Sequence, residues 1–246
     1  MIDQIKIGCA STKTIYGERL DTVLIELNPE SKISGLFTSN KFKSAPVQIC
    51  LKQLKKKMKG KKMLAINAGN ANAATGKKGV SDAKKLIREI SSLTDISTTQ
   101  ILPFSTGVVG QLLNVKSLSA AFSKCLKNLN KNSWEDFAKA IMTTDTKSKI
   151  VKLSLQVGSK KYHIVGIAKG VGMIEPNMAT TLSYIFTDLR IPELTLRKLH
   201  KKICDKTFNA ISIDGDQSPS DSSILVATGS SEIDFKKHYK KIEKDI

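Results

Sequence analysis

Lys169-Gly170-Val171-Gly172-Met173-Ile174-Glu175-Pro176-Asn177-Met178-Ala179-Thr180-Thr181 joins a lysine, a glycine-rich turn and a proline to a small residue followed by threonine. Taken alone, the stretch reads most simply as a Gly/Pro turn entering a buried strand. The same residues also suit a chain that cuts itself. A threonine hydroxyl is a weak nucleophile, but on a strained turn it can attack the preceding carbonyl and move the Ala179 acyl group from nitrogen to oxygen. Hydrolysis of that ester leaves Thr180 as a new amino terminus. A free α-amine has a pKa of roughly 7.7–8.0, against about 10.4 for lysine, so it can act as base for its own hydroxyl. One residue then supplies both nucleophile and base.

Three further blocks stand out along the chain: Asn67-Ala68-Gly69-Asn70-Ala71-Asn72-Ala73-Ala74-Thr75-Gly76, Ser105-Thr106-Gly107-Val108-Val109-Gly110, and Asp214-Gly215-Asp216 after Phe208-Asn209, with Ser218 and Asp221 downstream. With the opening stretch, these blocks resemble the ornithine acetyltransferase (glutamate N-acetyltransferase) family, whose motifs run approximately NxGNANAxTG, STGVIG, KGxGMIxPNMAT and FNxxxVDGDxSxxD in that order. The resemblance covers nearly the whole chain. Two departures accompany it. Val171 stands where many relatives carry a small residue such as serine, and family members continue well beyond the position of Ile246.

The composition suits a folded enzyme without identifying one. At 246 residues the chain can bury a core in one large domain or two small ones, and no apolar run approaches the roughly 20 residues needed to span a bilayer. The opening Met1-Ile2-Asp3-Gln4-Ile5-Lys6-Ile7 lacks the apolar segment of a signal peptide. Cys9, Cys50, Cys125 and Cys204 are scattered with no CxxC pair, as expected of reduced thiols in a cytoplasmic protein. A net charge of +18 raises the question of nucleic acid. However, the lysines lie in short separate runs such as Lys55-Lys56-Lys57 and Lys236-Lys237, and with only 5% aromatic residues no aromatic-interleaved basic stripe appears. Solvated faces and attraction to anionic metabolites are the expected consequences.

Strands and helices alternate along the chain without repeats. Apolar patterning predicts strands at 23–27, 33–37, 63–67, 150–157, 162–167 and 182–186, and at 210–213 and 224–228 around the Asp-rich loop. Helices are expected at 47–58, from a Ser81 cap to about residue 93, at 118–129, and at 134–142. One more carries Leu196, Leu199 and Ile203 on a single face, with His200 near its edge in a structural role. The order argues for a mixed α/β layered fold. The resemblance implies the same, in the self-processing form whose nucleophile becomes amino-terminal: 1–179 as an α-chain region and 180–246 as the start of a β-chain region.

By composition and spacing alone, Ser105-Thr106-Gly107 reads as a turn and Lys169 as a surface lysine at a strand end. The resemblance implies more. Thr180 is then the catalytic nucleophile, the bond between Ala179 and Thr180 the cleavage site, and Thr106 and Gly107 the donors to the oxyanion of acyl transfer. Lys169 and a threonine of Met142-Thr143-Thr144-Asp145-Thr146 then contact substrate, with Thr143 and Thr144 both open. Asp214 and Asp216 lack a third ligand at metal spacing and are read as loop-fixing acceptors. No Ser/His/Asp triad or GxGxxG site is evident. The implied reaction moves acetyl from N2-acetylornithine to glutamate in arginine biosynthesis, without metal or cofactor, with acetyl-CoA a further donor in some relatives. Cleavage is expected to give an α/β heterotetramer, with no membrane or specific nucleic-acid partner. A self-processing aminopeptidase or amidase, an inactive shortened relative and a basic binding module are the competing readings.

Overall fold

Val23, Ile25, Leu64, Ile66 and Leu102 face one buried cluster, while Leu24, Met63, Ala65 and Ile101, their chain neighbours, face another. Strands covered on both sides in this way read as continuous apolar runs instead of alternating ones. The computed structural model describes residues 2–129, 133–174 and 181–245, among which these strands form one of two stacked sheets. The first sheet runs β1 (Ile5–Ala10), β2 (Thr22–Leu27), β4 (Lys62–Asn70), β5 (Ile101–Val108). The second runs β3 (Lys32–Phe37), β9 (Ser222–Ala227), β8 (Leu182–Thr187), β7 (Lys160–Lys169), β6 (Lys149–Val157). Neighbours are antiparallel except for β4 with β5 and β8 with β9.

The layer between the sheets is held by aromatic side chains. Phe104 of the first sheet meets Tyr184 of the second edge-on at 5.5 Å, and Phe137 lies 5.2 Å from Tyr184. Phe137 and Trp134 belong to α4 (Trp134–Ala140), which packs against β1, β2, β6 and β7 and closes one side of the sandwich. On the opposite side α1 (Ala45–Leu54) bridges β5 and β3. α2 (Gly76–Ser92) and α3 (Val115–Lys127) supply the apolar cover on the outer face of the first sheet. α5 (Glu193–Lys206) and α6 (Tyr239–Asp245) do so for the second. The mixed α/β layering expected from the sequence is therefore present.

Several expected elements differ. β1 and β5 were not anticipated. In β1, Gly8 has no β preference, but a Cβ there would lie 2.0 Å from the carbonyl oxygen of Cys125, so glycine admits the close approach of α3. β5 carries Pro103, which cannot donate to a ladder, and this is tolerated because β5 is the edge strand of its sheet. Residues 210–213 form no strand: Ile211 and Ile213 are exposed, and the Ile213 amide donates to the Ile174 carbonyl outside either sheet. α2 starts at Gly76, placing Ser81 inside the helix instead of at its cap. There Asn72 donates to the Gly79 carbonyl at 3.0 Å and accepts from Thr75 Oγ1 at 2.8 Å.

The four cysteines are buried and free, and burial pushes the Cys125 thiol up to about 12. His200 lies fully inside rather than at the edge of its helix, at 0% exposure. Its Nδ1 meets Ser34 Oγ and its Nε2 meets Ser223 Oγ, each at 2.9 Å, tying α5 to β3 and β9. Burial disfavours the imidazolium and pushes the His200 pKa down to about 4. The unfolded chain binds this proton near pH 6.5 and the folded chain does not, so the stability from neutral His200 is lost as pH falls between these values. We predict that stability to urea drops by up to about 1.4 kcal/mol per pH unit from this group as pH falls from about 6.5 to about 4. His200→Asn should lose less over the same range; equal losses in parent and variant would contradict this.

Candidate active site

The parallel pair β4 and β5 delivers two of the singled-out blocks to one end of the sandwich. Ser105 Oγ donates to Asn67 Oδ1 at 2.6 Å, and Asn67 Nδ2 donates to the Asn70 carbonyl at 2.9 Å. Asn70 Nδ2 reaches the carbonyls of Gln111 and Leu112, both at 3.2 Å, and its Oδ1 accepts from the Asn72 amide. The Asn/Gly/Ala block is thus a brace of side-chain amides under the loop that follows β5. This role was not read from the sequence, although the density of asparagines there was the available signal.

Gly107 sits where the β4–β5 register slips, with φ +128°. A Cβ at Gly107 would lie 2.2 Å from the Gly69 carbonyl carbon and 2.6 Å from the Asn70 nitrogen, both backbone atoms that cannot move aside. Only glycine supplies this conformation at this spacing.

Lys169, the last residue of β7, crosses from the second sheet to the first. It is 7% exposed, and its Nζ donates to Thr106 Oγ1 at 3.0 Å and to Thr143 Oγ1 at 2.8 Å. Burial pushes its pKa below the usual lysine range, opposed by the carboxylates of Asp145 and Asp221. Asp145 is itself buried. Burial raises its carboxyl, but the Gly170 amide at 3.0 Å, the Lys149 ammonium and the Thr143 amide outweigh this and hold it below its ordinary value. Asp145 thereby fixes the two segments that carry Thr143 and Lys169. It lay within the quoted threonine stretch, but nothing in the sequence marked it as their anchor.

These groups open onto a cleft of about 440 Å³ lined in part by Tyr16, Thr106, Gly107, Thr143, Thr144 and Lys169. Two cavities of similar size, near Arg190 and beside β6, are lined by none of the expected site residues. Of the threonine pair, Thr143 makes the lysine contact, while Thr144 lines the cleft. Val171, the departure from the family pattern, lines it with an exposed side chain.

The expected cleavage bond between Ala179 and Thr180, and the nucleophile itself, lie outside the described residues. Their flanks are held at the cleft. Asp214 accepts hydrogen bonds from the Met173, Ile174 and Asp216 amides, of which Met173 contributes most to depressing its pKa. Asp214 is thus a loop-fixing acceptor, with Asp216 contributing its amide. On the other side Thr181 Oγ1 donates to the Lys169 carbonyl at 2.7 Å, and the Thr181 carbonyl accepts from the Ser222 amide at 3.0 Å.

Comparison with known proteins shows the family. The ArgJ family pattern matches residues 5–246. The chain belongs to the ArgJ family. It is 41% identical over 239 residues to the arginine biosynthesis bifunctional protein ArgJ of Colwellia psychrerythraea, an alignment covering 94% of this chain and 56% of that protein. The protein of the same name from Methylococcus capsulatus is 37% identical over 228 residues, covering 93% and 55%. The chain therefore spans about half the length of these relatives. The solved structure of the Bacillus halodurans ArgJ protein superposes with a TM-score of 0.60 at 27% identity, over 72% of this chain and 92% of that one. The ArgJ family thus shares the fold seen here.

Gly107 offers a direct test of the geometry. We predict that Gly107→Ala lowers stability by about 1–3 kcal/mol from backbone conformation alone, before the clash with Gly69 is counted. Chemical denaturation measures it. An unchanged midpoint would contradict the described approach of β4 and β5.

Proposed function

We propose that the cleft is the active site of a self-cleaving glutamate N-acetyltransferase, which moves acetyl from N2-acetylornithine to glutamate in arginine biosynthesis. The observation that carries this reading is the convergence of Lys169, Thr106, Thr143 and the constrained Gly107 beside the anchored flanks of Thr180. The names of the ArgJ relatives support it.

In the first reaction Thr180 Oγ attacks the Ala179 carbonyl carbon. The C–O bond forms, the C–N bond breaks, and the hydroxyl proton passes to the departing Thr180 nitrogen. Water then hydrolyses the ester, leaving the Ala179 carboxylate and Thr180 as a free amino terminus. In the second reaction the α-amine takes the proton from Thr180 Oγ as that oxygen attacks the acetyl carbon of N2-acetylornithine. Ornithine leaves with the proton, and the amine of glutamate then attacks the acetyl ester, restoring the hydroxyl. Both reactions place negative charge on a carbonyl oxygen. Thr106 and the Gly107 amide are the donors proposed for it, each of a kind whose removal typically costs about 2.7–4 kcal/mol.

Cleavage at this bond separates 1–179 from 180–246. The parts stay together, because β8 and β9 follow the bond while β7 and β3, which flank them, precede it. This pair is the unit of the proposed α/β heterotetramer. The Bacillus halodurans chain, of which 92% is matched by 72% of this one, is shorter than the present chain, whereas the full ArgJ relatives are longer. A separate short polypeptide fits a family that cleaves itself. The relatives' description as bifunctional fits acetyl-CoA as a second donor. The four free thiols suit the cytoplasm, and among the described residues no helix is long and apolar enough to cross a membrane.

We predict that the protein forms N-acetylglutamate from N2-acetylornithine and glutamate, and that Thr180→Ala abolishes this transfer. Correct placement of substrate can account for roughly 7–11 kcal/mol of a barrier, so losing a group that holds substrate slows turnover without disturbing the fold. The assay supplies N2-acetylornithine with and without glutamate. N-acetylglutamate formation that disappears in Thr180→Ala supports the reading. Acetate release at the same rate without glutamate would show a hydrolase instead, and transfer surviving in Thr180→Ala would remove Thr180 as nucleophile.

A further inference from the structure

We infer that Lys169 sets the polarity of the Thr106 hydroxyl, so that Thr106 donates its proton into the cleft, and that Lys169 therefore assists the proposed chemistry through Thr106 as a positioning residue. This inference rests on the acyl-transfer reading but goes beyond a lysine that contacts substrate. An ammonium has three donors and no acceptor. Where Lys169 Nζ lies 3.0 Å from Thr106 Oγ1 and 2.8 Å from Thr143 Oγ1, both oxygens must accept, and neither threonine can direct its proton back at the lysine. A threonine hydroxyl left to itself rotates between donor and acceptor arrangements. Here a buried cation removes that freedom, and the proton of Thr106 is left to point elsewhere in a cleft that Thr106 lines. The charge also polarises the O–H bond, making it a stronger donor to an oxyanion.

The charged groups around the lysine are arranged for this task. Lys149, the neighbouring cation, is engaged by Asp145, whose carboxylate also receives the Gly170 and Thr143 amides. Asp145 and Asp221 support the Lys169 charge through space, yet among the described residues no carboxylate is in salt-bridge contact with its Nζ. The hydroxyls of Thr106 and Thr143 are thus its closest described acceptors.

Self-cleavage separates this role from substrate binding, because no free substrate carboxylate takes part in that step. The experiment measures cleavage of freshly made chain by intact mass over time in the parent, Lys169→Met, Thr106→Val, the double variant and Lys169→Arg. Methionine keeps the length of the side chain but removes the charge that Asp145 and Asp221 face, so circular dichroism and denaturant unfolding check that the variant folds before its cleavage rate is read. Lys169→Met should slow cleavage by about tenfold or more. If the lysine acts through Thr106, the double variant should fall within roughly threefold of Thr106→Val alone, the non-additivity expected of a coupled pair. Lys169→Arg, which keeps the charge but changes its geometry, should recover part of the rate.

Cleavage of Lys169→Met at the parent rate, or single losses that multiply in the double variant, would overturn the inference. A nitrogen-15 titration of the Lys169 ammonium reads the same bond without activity. Losing the Thr106 acceptor should lower its midpoint further, and an unchanged midpoint would also overturn the inference. If the parent chain stays whole, the cleavage reading has failed and this inference stands or falls on the titration.

Discussion

The arrangement depends on one buried ammonium. Lys169 is carried by the second sheet, yet the threonine it bonds belongs to the first, and its other partner follows α4. A charge taken from water must be repaid in hydrogen bonds and nearby opposite charge, or it gives up its proton. Two hydroxyls and the more distant Asp145 and Asp221 carboxylates do that here. The same contacts hold the ends of β5 and β7 at a common point. The groups that stabilise the lysine are therefore those that line the cleft.

The surrounding architecture keeps that point fixed. The aromatic layer of Phe104, Phe137 and Tyr184 sets the separation of the sheets, and the asparagine brace holds the loop that carries Gly107. Asp145 joins the threonine segment to the lysine segment, while Asp214 gathers the amides before the proposed cleavage bond. Each of these carboxylates accepts hydrogen bonds from main-chain amides of separate segments, which favours the charged form and orders the backbone. Strain is present as well: Met173, one residue before the end of the described segment, has φ +56° and is held there by Asp214. A non-glycine residue in that conformation fits a segment shaped for chemistry as well as for folding.

Much of this was legible in the sequence, and the remainder has physical reasons for being hidden. Thr106, Gly107, Thr143, Thr144 and Lys169 all line one cleft, although nothing local to any of them reveals the others. Buried two-sided strands such as β2 and β4 announced themselves as apolar runs. β5 did not, because Pro103 and the Ser-Thr-Gly end look like a turn unless the strand is known to be an edge. β1 was obscured by Gly8, whose reason is a helix more than a hundred residues away. Residues 210–213 alternate like a strand, but Ile211 and Ile213 stay exposed and join neither sheet, which no local pattern reveals. Thr143 and Thr144 look alike in the sequence, and only the fold shows that Thr143 is bonded to Lys169 while both line the cleft.

If the proposed chemistry acts on the chain itself, the intact mass of the purified protein records it. Two species are expected after folding, one ending at Ala179 and one beginning at Thr180, which remain together until denatured because β8 and β9 lie between β7 and β3. A single species of full mass that persists on prolonged incubation, or a cut at any other bond, would contradict it.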